Sequence, residues 1–125
     1  MDAEELAIAY LHYFETKRKE DRWAWAEVDD LVRRDPQNGW EVTRILVNRS
    51  TSEEALGFVA AGPLEDLLKK HGSALIDRIE DECRENDRLR VALSGVSIGA
   101  DKPVFERWYA LMWKYGFAEG KRTGL

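Results

Sequence analysis

The stretch AAGPLEDLLKKHG, residues 60–72, constrains the fold more than any other part of the chain. Gly62 interrupts any preceding helix, and Pro63 opens a new one, because proline fits the first helical turn, where its missing N–H does no harm. Gly72 suits the position just past a helix C-terminus. We therefore expect a helix over residues 63–71, with a break or bend at Gly62 and Pro63 and a helix end at Gly72. The residues on its inner face are Leu64, Leu67, Leu68 and His71.

Apolar residues at helical spacing predict further helices along the rest of the chain. The expected ranges are 2–19, 22–34, 36–49, 52–61, 73–85 and 88–94, with a last helix from near Pro103 to Gly116. The third of these, which contains Trp40, is expected to be the most buried. Residues 94–102 contain two glycines and are expected to form a loop. A short strand is the alternative there, because the apolar residues between Val91 and Ile98 suggest alternation.

Local capping patterns indicate where these helices begin and end. The Asp-Pro pair at 35–36 is expected to end the second helix, since the residue before proline avoids the helical region, and to cap the third. Ser-Thr-Ser at 50–52, followed by two glutamates, is expected to form a capping box. Asp87 is expected to cap the helix at 88–94.

No pair of strands joined by a hairpin turn is predicted, so the expected fold class is all-α. We expect a single compact domain over residues 1–125, since a chain of this length can bury a core. It should contain about seven or eight short antiparallel helices, arranged as a helical bundle or as a HEAT-like α-solenoid fragment. Residues 116–125 are expected to form a flexible tail.

Charge and composition disfavour several classes of function. The formal net charge of −5 opposes nucleic-acid binding, because it repels phosphate backbones. A helix-turn-helix within 52–71 ranks last for the same reason, since its second helix balances two lysines with two acids. Apolar residues make up 44% of the chain, which excludes a wholly disordered protein.

The single cysteine, Cys83, cannot form an intrachain disulfide and suits a reducing compartment, so we expect a cytoplasmic protein. The first residues are acidic and mix polar with apolar side chains, whereas a signal peptide begins basic and continues apolar. No apolar run approaches the roughly 20 residues of a membrane span. We therefore expect no membrane partner.

The phrase AAGPLEDLLKKHG, the acidic helix after it and LRVALSGV at 89–96 together resemble a family of small bacterial domains of unknown function. The recurring phrase of that family is a small residue, then Gly-Pro-Leu-Glu-Asp-Leu-Leu, then His-Gly. The Asp-Pro pair at 35–36 and Trp40 resemble its opening, and the resemblance covers residues 22–97. Ser97 stands where the family often carries an aromatic residue. The resemblance implies an all-α domain from a bacterium, or from a phage or mobile element that infects one, and no known activity.

The chain offers few side chains for catalysis or ligand binding. His71 is expected to bond a last-turn carbonyl rather than act as a base, because Glu65 and Asp66 lie on other faces of the helix. His12 is expected at the surface, and Ser94 lacks the glycine pattern of a hydrolase elbow. No spacing typical of a metal, nucleotide or cofactor site occurs. We therefore predict no cofactor, no metal and no enzymatic activity.

Six residues are predicted to form a protein interface. Trp23 and Trp25 cannot share one helical face, so one of them should lie exposed and serve as an anchor. The two acids in the first turn of the helix at 63–71 suit the helix dipole and stay accessible to a partner. The acidic helix at 77–87 offers a surface for a basic partner. The predicted interface residues are Trp23, Glu65, Asp66, Asp77, Glu80 and Asp81.

These observations favour a non-enzymatic acidic domain that binds a protein partner with a basic surface. In bacteria and phages, small acidic domains often act as immunity proteins or as inhibitors of defence systems, so an inhibitor or immunity type of action is our leading hypothesis. A structural or scaffolding module that forms a homodimer is the first alternative. An enzyme or regulator with an unrecognised site is the weaker one.

Overall fold

The computed structural model describes residues 1–115, and every regular element in this range is helical. The α-helices are α1 (Ala3–Thr16), α2 (Arg22–Arg34), α3 (Pro36–Arg49), α4 (Glu53–Val59), α5 (Glu65–Cys83), α6 (Asp87–Ser94) and α7 (Phe105–Lys114). A 3₁₀ turn covers Lys19–Asp21, and a π-helical turn covers Ala60–Leu64. The predicted all-α class is confirmed. The expected helix end at Gly116 and the expected tail at 116–125 lie outside the described residues.

Side-chain caps begin α3 and α4, although the second cap differs from the prediction. Asp35 accepts a hydrogen bond from the backbone N–H of Asn38 at 3.2 Å, and Pro36 is the first residue of α3, as expected. The reciprocal box predicted at 50–54 is wrong. Ser52 accepts from the backbone N–H of Ala55 at 3.0 Å, but the position that would return a bond holds this alanine instead of a glutamate.

Two other helix starts differ from the sequence prediction. The reciprocal capping box lies at α1, where Asp2 accepts from the Glu5 N–H at 2.8 Å and Glu5 accepts from the Asp2 N–H at 3.4 Å. Asn86 rather than Asp87 caps α6, and it accepts from the Leu89 N–H at 3.1 Å. A capping oxygen must lie about three residues before the N–H it accepts from, and Asn86 holds that position.

Of the break or bend expected at Gly62 and Pro63, the break does not occur. The chain passes from α4 through the π-helical turn into α5 without leaving helical geometry, and Pro63 lies inside that turn. Proline lacks the N–H that a tight α-turn would use, and its ring clashes with the carbonyl four residues earlier. A π turn adds one residue to the ring of the hydrogen bond, which is a known way to absorb such a disruption within a helix.

The second predicted break, at Gly72, is a kink inside α5 rather than a helix end. His71 has φ −134° and ψ 18°, and regular helix resumes after it and continues to Cys83. Gly72 is buried, and a Cβ built on it would lie 2.6 Å from the Cβ of Val104. Glycine is therefore needed for a close approach and not as a cap. The helices predicted at 63–71 and 73–85 meet at this kink within α5. Because α4, the π turn and α5 follow one another without a gap, the count of separate helices is lower than predicted.

The core lies around α3, which packs against α1, α2, α5 and α6. Its apolar residues Trp40, Val42, Leu46 and Val47 are buried. The one buried hydroxyl in the middle of this helix belongs to Thr43 and donates to the Gly39 carbonyl at 2.7 Å. None of the described helices is both long and apolar enough to cross a membrane.

Residues 95–104 connect α6 to α7 without a strand, so the alternative of a short strand is not realised among the described residues. Val96 and Ile98 are nevertheless buried, which accounts for the alternation seen in the sequence. The Ser97 backbone N–H donates to the Glu65 carboxylate at 2.8 Å, so the first turn of α5 holds this connection in place. Successive turns occupy the end of the connection, and α7 begins at Phe105, two residues later than expected.

Candidate functional site

Trp23 is one of the predicted interface residues, and the structure places it in an open groove. Its side chain is 48% exposed. The groove has a volume of about 590 Å³ and lies between α1, α2 and α3, and we call it the Trp23 groove. The residues that line it are Met1, Asp2, Ala3, Leu6, Trp23, Glu27, Leu31, Asn38 and Val42.

The helical repeat of α2 explains why Trp23 is exposed. Ala24, Val28 and Val32 recur every four residues and form the buried row. Trp23 precedes Ala24 by one residue, which places it about 100° around the helix, in the same row as Glu27 and Leu31. This row faces the groove, whereas the half-buried Trp25 lies on the other side, with the Arg22 guanidinium 4.9 Å from its ring centre.

Charge is distributed unevenly around the Trp23 groove. Asp2 and Glu27 are its charged lining residues, and none of the described residues that line it is basic. The Arg34 guanidinium approaches Glu27 only to 4.0 Å, and both side chains are more than half exposed. The groove therefore combines apolar side chains with two acidic rim residues, of which Glu27 has only a distant ion pair with Arg34.

Glu65 does not lie on a free surface. Its carboxylate accepts from the Ser97 backbone N–H at 2.8 Å and pairs with the Lys69 ammonium at 3.0 Å. Only 17% of the Glu65 side chain is exposed. This residue supports the connection between α6 and α7, and it has little carboxylate surface left for a partner.

Three acidic residues of α5 pair with arginines, and one of these arginines comes from another helix. The Arg107 guanidinium on α7 lies 2.7 Å from Asp77 and 3.0 Å from Glu80. Asp81 pairs with Arg84 at 2.7 Å. The contacts with Arg107 join α5 to α7, so these acids stabilise the packing of the last described helix.

Asp81 also lines a second groove, of about 670 Å³, between α3, α5 and α6. Trp40 lines this groove, and the charged side chains that line it include both acidic and basic residues. The basic ones are Arg44, Arg78 and Arg88, and the acidic ones are Asp81, Glu82, Glu85 and Asp87. The acidic helix expected to present one sign of charge is therefore part of a mixed-charge surface.

Asp66 lies apart from these grooves, at a small cavity of about 40 Å³ that we call the Asp66 cavity. Burial and the neighbouring Asp29 carboxylate raise the pKa of Asp66. The Tyr10 hydroxyl is buried and has no hydrogen-bond partner among the described residues. Burial and the charges of Asp66 and Asp29 raise the pKa of Tyr10. The other lining residues are Trp25, Val28, Gly62 and Pro63.

The raised pKa of Asp66 predicts how stability depends on pH. A carboxyl whose pKa is higher in the folded chain binds more protons there, so it costs stability as the pH rises from its unfolded pKa through its folded pKa. In the absence of divalent cations, Asp66→Asn should therefore gain stability relative to the wild-type protein between pH 3 and pH 7 (about the range in which a carboxyl titrates). Urea unfolding at several pH values measures the difference.

A matched control is available at Asp81, whose exposed carboxylate pairs with Arg84 at 2.7 Å. Asp81→Asn removes a favourable contact and should not stabilise the protein at neutral pH. Equal gains from both substitutions would show that reducing the overall negative charge, rather than the surroundings of Asp66, is responsible.

The remaining candidate groups occupy structural positions. The His71 imidazole Nε2 lies 3.0 Å from the Arg33 carbonyl, in the last turn of α2, so the predicted bond to a carbonyl of its own helix is wrong. The His12 imidazole lies 3.6 Å from the Asp21 carboxylate at the surface. Burial raises the pKa of the Cys83 thiol to about 11. No cluster of three or more His, Cys, Asp or Glu side chains suited to a metal occurs between residues 1 and 115.

Comparison with known proteins identifies one matching family. A family model described as "Family of unknown function (DUF6869)" matches residues 13–114, which include α2 to α7 and the end of α1. The match extends beyond the range of 22–97 over which the sequence resembled a family of unknown function. No curated protein and no solved structure matches the chain.

Proposed function

We propose that this chain, which belongs to the DUF6869 family of unknown function, is a non-enzymatic domain that binds a protein partner with a basic surface. The observation that carries the proposal is the Trp23 groove. It combines an exposed tryptophan, an apolar interior and a rim whose charged residues are acidic. A segment that fits it would present an apolar side chain flanked by lysine or arginine.

The side chains of the groove match what protein interfaces use. Tryptophan is enriched among residues that dominate binding energy, because its large ring buries much surface at a low entropic cost. Trp23 is half exposed, and the apolar Leu6, Leu31 and Val42 lie in the groove behind it. A partner side chain that entered here would remove apolar surface from water on both molecules.

The charges of the groove specify which partner fits. Asp2 and Glu27 are the charged residues of the groove lining, and Arg34 reaches Glu27 only at 4.0 Å, so a Lys or Arg of the partner would meet two acidic residues. The net charge of −5 acts in the same direction at long range and speeds the encounter with a basic protein. Binding should therefore weaken as the salt concentration rises.

We propose that the domain acts by binding its partner and blocking a surface of it, as inhibitors and immunity proteins do. Such action needs a stable surface and no reacting group. The structural positions of His71 and Cys83 support this choice, since the imidazole bonds a backbone carbonyl and the thiol is buried. A bacterial or phage role against a defence system is the specific form of this proposal.

The substitution Trp23→Ala tests the groove. It should weaken partner binding by about 2 kcal/mol or more, which is roughly 30-fold in Kd, if Trp23 is an interface anchor. The partner would first be captured from cells that encode the chain and identified by mass spectrometry. The two purified proteins would then be titrated by calorimetry at low and high salt.

The matched control is Ile8→Ala, because Ile8 on α1 is exposed to 49% and does not line the groove. Binding should survive this substitution and should weaken with salt. If Trp23→Ala and Ile8→Ala bind equally well, the groove is not the interface. A homodimer that is insensitive to salt and captures no other protein, as measured by light scattering, would overturn the proposal in favour of a scaffolding module.

A further inference from the structure

We propose that Asp29 and Asp66 bind a hydrated divalent cation of the Mg²⁺ class, with the Tyr10 hydroxyl contacting one of its water ligands inside the Asp66 cavity. This site is separate from the Trp23 groove and does not depend on it. It joins three segments that are far apart in the chain, namely α1, α2 and the first turn of α5.

Two carboxylates meet at this cavity. Asp29 on α2 and Asp66 on α5 both line it, and the Asp29 carboxylate is close enough to act electrostatically on Asp66. Asp66 has no hydrogen bond or ion pair among the described residues, whereas Asp29 pairs with Arg33 one turn later on its own helix. One free carboxylate therefore lies beside a second one that is only partly neutralised, and this arrangement favours a bound positive charge.

The Tyr10 hydroxyl is the observation that points to a ligand. The Tyr10 side chain is 1% exposed, and its hydroxyl reaches the cavity without a partner. A buried polar group without a hydrogen bond is costly, so native proteins usually satisfy it with protein or water. A water ligand of a bound cation would donate to this oxygen and supply the missing partner.

The π-helical turn makes the space for that water ligand. A Cβ built on Gly62, within this turn, would lie 3.3 Å from the Tyr10 hydroxyl oxygen, so a larger residue would crowd the cavity. The volume of about 40 Å³ suits one water molecule, whose share of liquid volume is about 30 Å³. π-helical turns are frequent at functional sites, and here the turn lies directly at the two acids.

The chemistry of Mg²⁺ fits a site with so few protein ligands. Mg²⁺ loses its water shell reluctantly and is usually held by one or two carboxylates while it keeps several waters. A pair of aspartates at a half-open cavity meets this need, whereas Ca²⁺ requires six to eight oxygen ligands. Arg33 and Lys70 compete for the same carboxylates, so we expect weak binding that requires millimolar magnesium.

Paramagnetic broadening by Mn²⁺, a substitute for Mg²⁺, tests the site on the full chain in solution. Low concentrations of MnCl₂ should broaden the NMR amide signals of Asp29, Gly62 and Asp66 first, and excess MgCl₂ should restore them. Asp66→Asn should abolish this local effect, whereas Asp81→Asn, which removes an exposed acid of α5, should leave it intact. Tyr10→Phe should weaken Mn²⁺ binding roughly tenfold, as expected for a group that holds a ligand from outside the first coordination shell.

Unfolding measured without metal shows whether each variant is folded before it is titrated. The proposal is overturned if Mn²⁺ broadens no signals near the Asp66 cavity. That result would indicate that the cavity holds only water. It is equally overturned if broadening is strongest at Asp77, Glu80 and Asp81 or if Asp66→Asn leaves it unchanged. The variant Arg33→Gln is a second test. It frees Asp29 from its ion pair and should therefore strengthen Mn²⁺ binding.

Discussion

Leu67→Ala is expected to destabilise the domain by about 2–5 kcal/mol, the range for truncating a fully buried leucine. Leu67 is 0% exposed and lies in the first turns of α5, just after the π turn. Its Cδ2 would lie 3.2 Å from a Cβ built on Gly39, so it fills the space where α5 meets the start of α3. Truncation would leave a cavity at the centre of the helix packing, which surrounding side chains cannot fill completely.

Urea unfolding followed by circular dichroism measures this loss. The control Ile8→Ala removes a comparable apolar side chain from an exposed position and should change stability by no more than about 0.5 kcal/mol. Similar losses from both substitutions would show that Leu67 does not lie in the core.

Gly72→Ala is expected to cost about 1–3 kcal/mol, although alanine is the better helix former. The added Cβ would lie 2.6 Å from the Cβ of Val104 and 2.8 Å from each of its methyl groups. Val104 is buried and its side chain is short and branched, so it cannot swing away without moving its backbone. The substitution should therefore push the connection before α7 away from α5.

Gly57→Ala is the matched control, because it makes the same change within α4 where a Cβ would meet no atom within 4 Å. Here the gain in helix propensity is unopposed, and we expect stabilisation by roughly 0.8–1.0 kcal/mol. The two glycines should thus respond with opposite signs in the same unfolding experiment. If Gly72→Ala also stabilises the protein, then Gly72 is not required for the close packing of α5 against Val104.

The helical content of the fold could be predicted because it depends on local patterns. The helix at 22–34 and the cap at Asp35 both follow from local sequence patterns, and the structure contains both. The break predicted at Gly62 does not occur, and the helix end predicted at Gly72 is a kink at His71. Glycine and proline weaken a helix locally, but the burial of the leucines around them keeps the chain helical on both sides, and burial depends on residues distant in the chain.

The candidate sites could be predicted only in part. The exposure of one tryptophan follows from helical spacing, and the structure shows which one it is. The partners of the acids do not follow from spacing, because Arg107 reaches Asp77 from another helix and the Ser97 N–H reaches Glu65 from a distant connection. The Asp66 cavity depends on α1, α2, the π turn and α5, which only the tertiary fold brings together.

Site-specific photocrosslinking in the cells that encode the chain tests the proposed interface most directly. Benzoylphenylalanine would replace Trp23 in one variant, Ile8 in a second and the exposed Asp77 of α5 in a third. We predict that position 23 crosslinks to a protein with a basic surface, while positions 8 and 77 crosslink weakly or not at all. Crosslinks from position 77 with none from position 23 would contradict the assignment of the Trp23 groove as the partner-binding surface.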